Sequence, residues 1–268
     1  VAFGFVLPII ISTVSTLRIA FFVFAVICTV HAGLVLVFFK EAPPYPPSWT
    51  SSQFVHPSFQ QCFQMMSNWN FGVIAVSAGV GLGSFWALCT LLGFELTENS
   101  NFDSSFVGVA GVLMTLSGLL GFVLAGFVLD KYRNYQTVLL VCFTLCTALC
   151  VVLEVAVTNA KELGPDLSRT TVLCCCAVLG FAFSAVQPAL LETGVEVTYP
   201  EPEEISAAII IWTGNLLFLI LVSVHRWFGH HTLLTFAALC LLSALSLKFV
   251  FKPEYKRQAE DAKHPHSS

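Results

Sequence analysis

Apolar runs of about twenty residues recur along the chain, each broken by a polar stretch. At roughly 1.5 Å per helical residue, such a run crosses a hydrocarbon core of about 30 Å. The pattern predicts full spans over residues 17–39, 71–92, 106–129, 137–157, 170–191, 206–224 and 232–251. Residues 1–11 are also apolar but too few to span alone; they read as the end of a helix that begins earlier, with Ser12 to Thr16 as the turn after it. The prolines of Glu41-Ala42-Pro43-Pro44-Tyr45-Pro46-Pro47-Ser48 cannot continue a helix and favour an extended polyproline linker. Residues 40–70 then form one long hydrophilic loop. The other connections are short: an acidic turn at 95–105, a basic turn at 130–136, polar loops at 158–169 and 192–205, and a turn at 225–231 before the polar tail from Lys252.

Composition agrees with a bilayer as the solvent. Of 268 residues 56% are hydrophobic and only 10% charged, with a mean hydropathy of +0.82, whereas soluble chains carry roughly 25% charged residues. The fold class is therefore all-α, a polytopic membrane protein of seven full spans and one partial helix. A net charge of -4 offers no basic field for nucleic acid, and no P-loop or metalloprotease motif is present. No enzyme, no cofactor and no metal site is expected. Nine of the ten cysteines lie inside apolar segments, so free thiols are expected rather than a disulfide framework.

Orientation follows from the lysines and arginines of the connections. Lys40, Lys131, Arg133, Lys248, Lys252, Lys256, Arg257 and Lys263 fall on one side, against Arg18, Lys161, Arg169 and Arg226 on the other. The richer side is read as cytosolic, which puts the proline-rich loop and the C-terminus there. One partial helix, one span, a long cytosolic loop and six closely connected spans match the later part of a transporter built from two six-helix halves. Residues 1–39 then end the N-terminal half as helices five (partial) and six. Residues 40–70 are the cytoplasmic linker, 71–251 the C-terminal six-helix half and 252–268 the cytoplasmic tail. The N-terminal half is missing from this chain on that reading, and the protein is expected to be a monomer in the plasma membrane.

Two motifs carry a family resemblance. Gly126-Phe127-Val128-Leu129-Asp130-Lys131-Tyr132-Arg133 resembles the Gly-x-x-x-Asp-Arg/Lys loop of the major facilitator superfamily, in its second-half copy. Pro188-Ala189-Leu190-Leu191-Glu192-Thr193-Gly194-Val195-Glu196-Val197-Thr198-Tyr199-Pro200-Glu201 resembles the Pro-x-x-x-Glu-x-x-Val-Glu-x-Thr-Tyr-Pro-Glu segment of the solute carrier 49 family. Val1 to Pro8 and Ala42 to Ser48 are similar to that family's fifth helix and linker, and Lys252 to Glu260 to the ending of one orphan branch of it. The resemblance implies a major facilitator fold and alternating-access transport of a small amphipathic solute. Within the family the solutes are choline and ethanolamine, haem, or in one branch pyridoxine.

The resemblance also implies site residues. The family's helix seven carries a Phe-Tyr pair, and Gly83-Ser84-Phe85-Trp86 puts Trp86 at the tyrosine of a cation cage. A quaternary ammonium has no hydrogen to donate and is held by aromatic faces, each worth roughly 0.5–2 kcal/mol. The alternative for Trp86 is an interfacial anchor near a span end. The family's cavity glutamine falls on Asn215, with Trp212 three residues earlier on the same helical face. The alternative for Asn215 is a hydrogen bond to a neighbouring helix, worth about 0.6 kcal/mol on average. Glu204-Ile205-Ser206-Ala207-Ala208 replaces a Gly-Thr-Ser-Ser-Gly-like run, which predicts looser helix packing there.

Asp130 is expected to face the N-terminus of helix eleven, where the helix dipole favours an anion, and so to hold a cytoplasmic gate; the alternative is an ordinary positive-inside turn. Glu192 and Glu196, one helical turn apart, are expected to pair with the loop carrying Lys131 and Arg133, with proton coupling as the alternative. Glu154 is expected to be structural. Cys142, Cys146 and Cys150, with Cys174-Cys175-Cys176, are read as packing side chains rather than as a soft-metal or haem path. His31, His230 and His231 carry no clear role, the last two in a solvated turn. A different class of protein, a membrane receptor or scaffold without transport, is the remaining alternative.

Overall fold

The computed structural model describes residues 14–39, 59–100, 102–228, 231–252 and 255–261. Ten helices and no strand occur among them: α1 (Val14–Phe38), α2 (Phe59–Ser67), α3 (Trp69–Ser100), α4 (Ser104–Tyr132), α5 (Tyr135–Thr158), α6 (Ala160–Leu163), α7 (Pro165–Thr198), α8 (Glu203–Phe228), α9 (Thr232–Phe249) and α10 (Lys256–Asp261). The partial first helix, the proline linker at 40–58 and the last residues of the tail lie outside the described residues. Seven helices, α1, α3, α4, α5, α7, α8 and α9, are long and apolar enough to cross a bilayer, as the run lengths predict. The chain is an integral, multi-pass membrane protein.

The helix ends differ from the sequence reading where charged residues sit near a span. α1 begins at Val14, inside the expected turn, and α2 occupies part of the expected loop. The acidic turn at 95–105 is largely helix. α3 runs on to Ser100 because Leu92, Glu95 and Leu96 continue its buried face, Glu95 at only 1% exposure, while the Thr97 hydroxyl donates to the Gly93 carbonyl. The expected loop from Glu192 is helix as far as Thr198, since Thr193 and Val197 stay buried and the Thr193 and Thr198 hydroxyls bond carbonyls one turn back. The turn between α4 and α5 is tight, as expected. Arg133 adopts the left-handed region (φ 49°) and donates its N–H to the Leu129 carbonyl, and the Asn134 side chain accepts the Thr137 N–H.

α3 and α7 form the middle of the bundle. α7 packs chiefly on α4 and α5, α3 chiefly on α8, and the two also pack on each other, while α9 joins α5 to α3. α4 and α8 make no extensive contact, so the α3–α7 pair has one side less covered than the other. α1 stands apart, its apolar side chains exposed along nearly the whole helix, as a helix apolar all round requires lipid or another protein surface for cover.

Lipid tails are as apolar as leucine, so these helices associate through close packing rather than through expulsion of water. The seams are accordingly lined by small residues. A Cβ on Gly83 would come 2.9 Å from the Gly214 carbonyl oxygen, and one on Gly214 would come 2.9 Å from the Leu82 Cβ, which fixes the α3–α8 crossing. On the α4–α7 seam a Cβ at Gly121 or Gly180 would run into the carbonyl oxygens of Phe181 and Met114 respectively. The looser packing expected at Glu204 to Ala208 is not found. Ser206 is buried, and Gly194 on α7 lets Ile210 and Ser206 approach to within 2.5 and 2.9 Å of its missing Cβ.

Candidate functional site

Two regions collect the residues singled out above. The first lies where α3 crosses α8. Trp86 is half-buried, and its indole ring covers Gly214, whose absent Cβ would sit 3.3 Å from the ring. Because α3 continues to Ser100, about 21 Å of helix follows Trp86. Its neighbour Phe85 turns towards α7, with ring centroids 5.8 Å from the buried Phe183.

Asn215 follows Gly214 and lies near the middle of α8. It is exposed, and its amide nitrogen donates to the Ile211 carbonyl of its own helix at 2.9 Å rather than to a neighbouring helix. That bond uses one donor and leaves the amide oxygen on the exposed face. Trp212 is 60% exposed. It lies roughly 200° around α8 from Gly214, at 100° per residue. Trp86 and Trp212 are thus on opposite sides of α8, with Asn215 between them.

The second region is a cavity of about 440 Å³ at the end of the bundle that carries the α4–α5 turn. It is lined by Asp130 and Arg133 from α4 and its C-cap, Tyr135 from α5, Glu192 and Glu196 from α7, Glu203 from α8, and Arg257 and Gln258 from α10. Asp130, Arg133, Glu192 and Glu196 therefore meet around one space. Lys131 is not among its lining residues, and its Nζ lies 5.4 Å from the ring centroid of Tyr132. Asp130 shares the cavity with Glu203 in the first turn of α8.

The acidic side chains find their partners in the tail. The Gln258 N–H donates to Glu196 Oε2 at 3.1 Å, and Arg257 Nη1 lies 2.8 Å from Glu203 Oε1. The Gln136 N–H donates to the Tyr255 hydroxyl at 3.4 Å, and the Tyr255 and Tyr135 rings meet edge-on at 5.4 Å. Burial pushes the Tyr255 phenol up, the Gln136 N–H lowers it, and the Glu196 carboxylate raises it again. The hydroxyl keeps its proton at neutral pH and remains a neutral acceptor. Arg257, Gln258 and Glu203 were missed in the sequence reading, although opposite charges at Arg257 and at Glu203-Glu204 were the available signal.

The pair Arg257–Glu203 is partly exposed, which limits it to about 1 kcal/mol. Arg257→Ala is expected to speed hydrogen exchange at the Gln258 amide up to about fivefold, the kinetic image of that energy. High salt should produce the same change in the native chain. Unaltered exchange in both would show that the ion pair does not hold α10.

Glu154 is buried at the opposite end of α5, with His231 Nδ1 3.6 Å away. Arg169 pairs with Asp103 at 3.6 Å and lies over the Phe106 ring. His31 is exposed on α1, and His230 lies outside the described residues. All ten cysteines are free thiols; Cys146, Cys150, Cys175, Cys176 and Cys240 are buried, and no metal-holding group of three occurs among the described residues.

No protein-family model matches the chain. Curated relatives do match, three of them as follows. An uncharacterized MFS-type transporter of Caenorhabditis elegans is 28% identical over 96% of this chain and 46% of its own length. The choline/ethanolamine transporter FLVCR2 of Homo sapiens is 28% identical over 72% of this chain and 37% of its own. Solute carrier family 49 member A3 of Danio rerio is 26% identical over 96% of this chain and 58% of its own. The chain is related to the solute carrier 49 transporters of the major facilitator superfamily. It spans about half the length of the curated relatives it matches. The names of these relatives range from an uncharacterized MFS-type transporter to choline/ethanolamine transporters.

Proposed function

We propose that this chain supplies helix six and the C-terminal six-helix half of an alternating-access transporter for a small organic cation of the choline or ethanolamine kind. The observation that carries this reading is Trp86. It is a half-buried indole packed on Gly214, and the next residue of α8, Asn215, carries an amide oxygen that can accept a hydrogen bond from a substrate hydroxyl. The printed names of several relatives supply the solute class. Trp212, on the far side of α8, would line a path rather than close the same cage. No covalent chemistry and no cofactor enter the cycle.

In this reading the cavity around Asp130 and Glu196 is the cytosolic gate. Asp130 and Arg133 of the α4 end face Glu192 and Glu196 of α7 across the gate, which the tail closes through the Gln258–Glu196 and Arg257–Glu203 contacts, with Lys131 outside the lining. The C-terminus is cytosolic, the membrane is the plasma membrane, and the working unit is a monomer completed by an N-terminal half.

The test separates charge from shape. Labelled choline uptake by cells expressing the full-length protein should be competed by unlabelled choline and ethanolamine, and at least tenfold less well by choline's neutral tert-butyl isostere. Equal competition by the isostere would refute aromatic recognition of the cation. Competition by haem alone would replace the substrate class.

A further inference from the structure

The residues that precede α3 form an apolar surface that the transport reading leaves unused. α2 has two apolar faces. Met65 turns into the protein at 3% exposure with Cys62 beside it, whereas Phe63 and Met66, three residues apart, stand out at 72% and 59%. Trp69, the first residue of α3, adds a third exposed apolar side chain at 74%. No charged residue lies in α2. The junction itself is ordered by local bonds: the Ser67 hydroxyl donates to the Phe63 carbonyl, and the Asn68 side chain accepts the Asn70 N–H at 3.1 Å. The apolar face is therefore held in a defined position.

That position is the boundary of the spanning segments. Asn70 accepts the Lys252 N–H at 3.2 Å, which brings the start of α3 level with the end of α9. At the end of α9, Lys248 Nζ lies 5.4 Å from the centroid of the exposed Phe249 ring, and at the end of α4 Lys131 stands in the same relation to the exposed Tyr132. Lysine stems lying along aromatic rings at helix ends mark the level where acyl chains give way to headgroups. Phe63, Met66 and Trp69 stand exposed at that level.

We propose that α2 is an interfacial anchor whose Phe63, Met66 and Trp69 face is buried in the phospholipid leaflet at the boundary between headgroups and acyl chains. A short helix with one face on the protein and one in the lipid interface is the monotopic arrangement attached to a spanning helix. It would set the depth of α3 in the membrane, and through the Asn70–Lys252 bond the depth of α9.

Tryptophan quenching by brominated phosphatidylcholine tests this in the full-length protein reconstituted into phosphatidylcholine vesicles. The native protein minus Trp69→Phe isolates position 69. Phe63→Trp made in the Trp69→Phe background, minus that background, isolates position 63. Both exchanges keep an aromatic ring at an exposed site, and gel filtration checks the fold. The expected result is at least twofold quenching of both components by lipid brominated near the headgroup, with weaker quenching by lipid brominated near the chain end and by aqueous acrylamide. Quenching by acrylamide without quenching by lipid would overturn the proposal in favour of a water-facing helix. Quenching by neither would assign the face to another part of the protein.

Discussion

Gly180→Ala is expected to destabilise the protein, and Gly180→Leu to abolish its folded form. A Cβ at position 180 would collide with the Met114 carbonyl oxygen and lie 2.8 Å from Ser117 Oγ. The first obstacle is backbone, which cannot swing aside as a side-chain tip can, so α4 and α7 must separate along their whole seam. Overpacking of this kind costs about 1–3 kcal/mol for small insertions. The sign is opposite to intrinsic propensity, because alanine favours a helix over glycine by about 1 kcal/mol. Gly72→Ala supplies the comparison, since nothing lies within 4 Å of its added Cβ. Thermal midpoints of the detergent-solubilised proteins should therefore fall for Gly180→Ala and hold or rise for Gly72→Ala. Equal midpoints would mean that the α4–α7 seam tolerates more separation than its geometry implies.

Trp86→Ala is expected to lower choline uptake roughly tenfold at unchanged protein level, while Trp86→Phe keeps uptake within about threefold of native. An aromatic face contributes up to about 2 kcal/mol to a desolvated cation, and about 1.4 kcal/mol corresponds to a factor of ten. Phenylalanine retains a ring face, though a smaller one than indole. The two variants also separate recognition from packing. Trp86 covers Gly214, so its truncation leaves a void at the α3–α8 crossing; a loss through packing would appear as reduced protein level rather than reduced uptake per molecule.

The number of spans was legible because a bilayer imposes length: seven apolar runs of about twenty residues became seven helices of sufficient length. The helix ends were less legible. Glu95, Glu192 and Glu196 look like loop residues, since carboxylates are costly in lipid. Glu95 and Glu196 are instead buried against protein, and Glu192 lines an aqueous cavity, so the cost that ends a span does not arise. α2 was hidden for a related reason, its glutamines and proximity to the proline-rich stretch making it read as loop.

The candidate site was legible in part. Asp130, Arg133, Glu192 and Glu196 come from separate motifs and line one cavity. Arg257 and Gln258 were not foreseen, because a docked tail depends on tertiary contacts that have no periodicity in sequence. Trp212 and Asn215 are both exposed on α8. Helical spacing alone could not say that Gly214, on another side of α8, would be the residue against which Trp86 packs.

Transport of an organic cation is tested most directly with the purified full-length protein in sealed vesicles. Labelled choline is supplied outside, and Trp86→Ala vesicles of equal protein content serve as the reference. The expected result is saturable accumulation in native vesicles, reduced about tenfold by the substitution. Choline entry no faster than in protein-free vesicles, from a protein that is folded and inserted, would contradict the assignment.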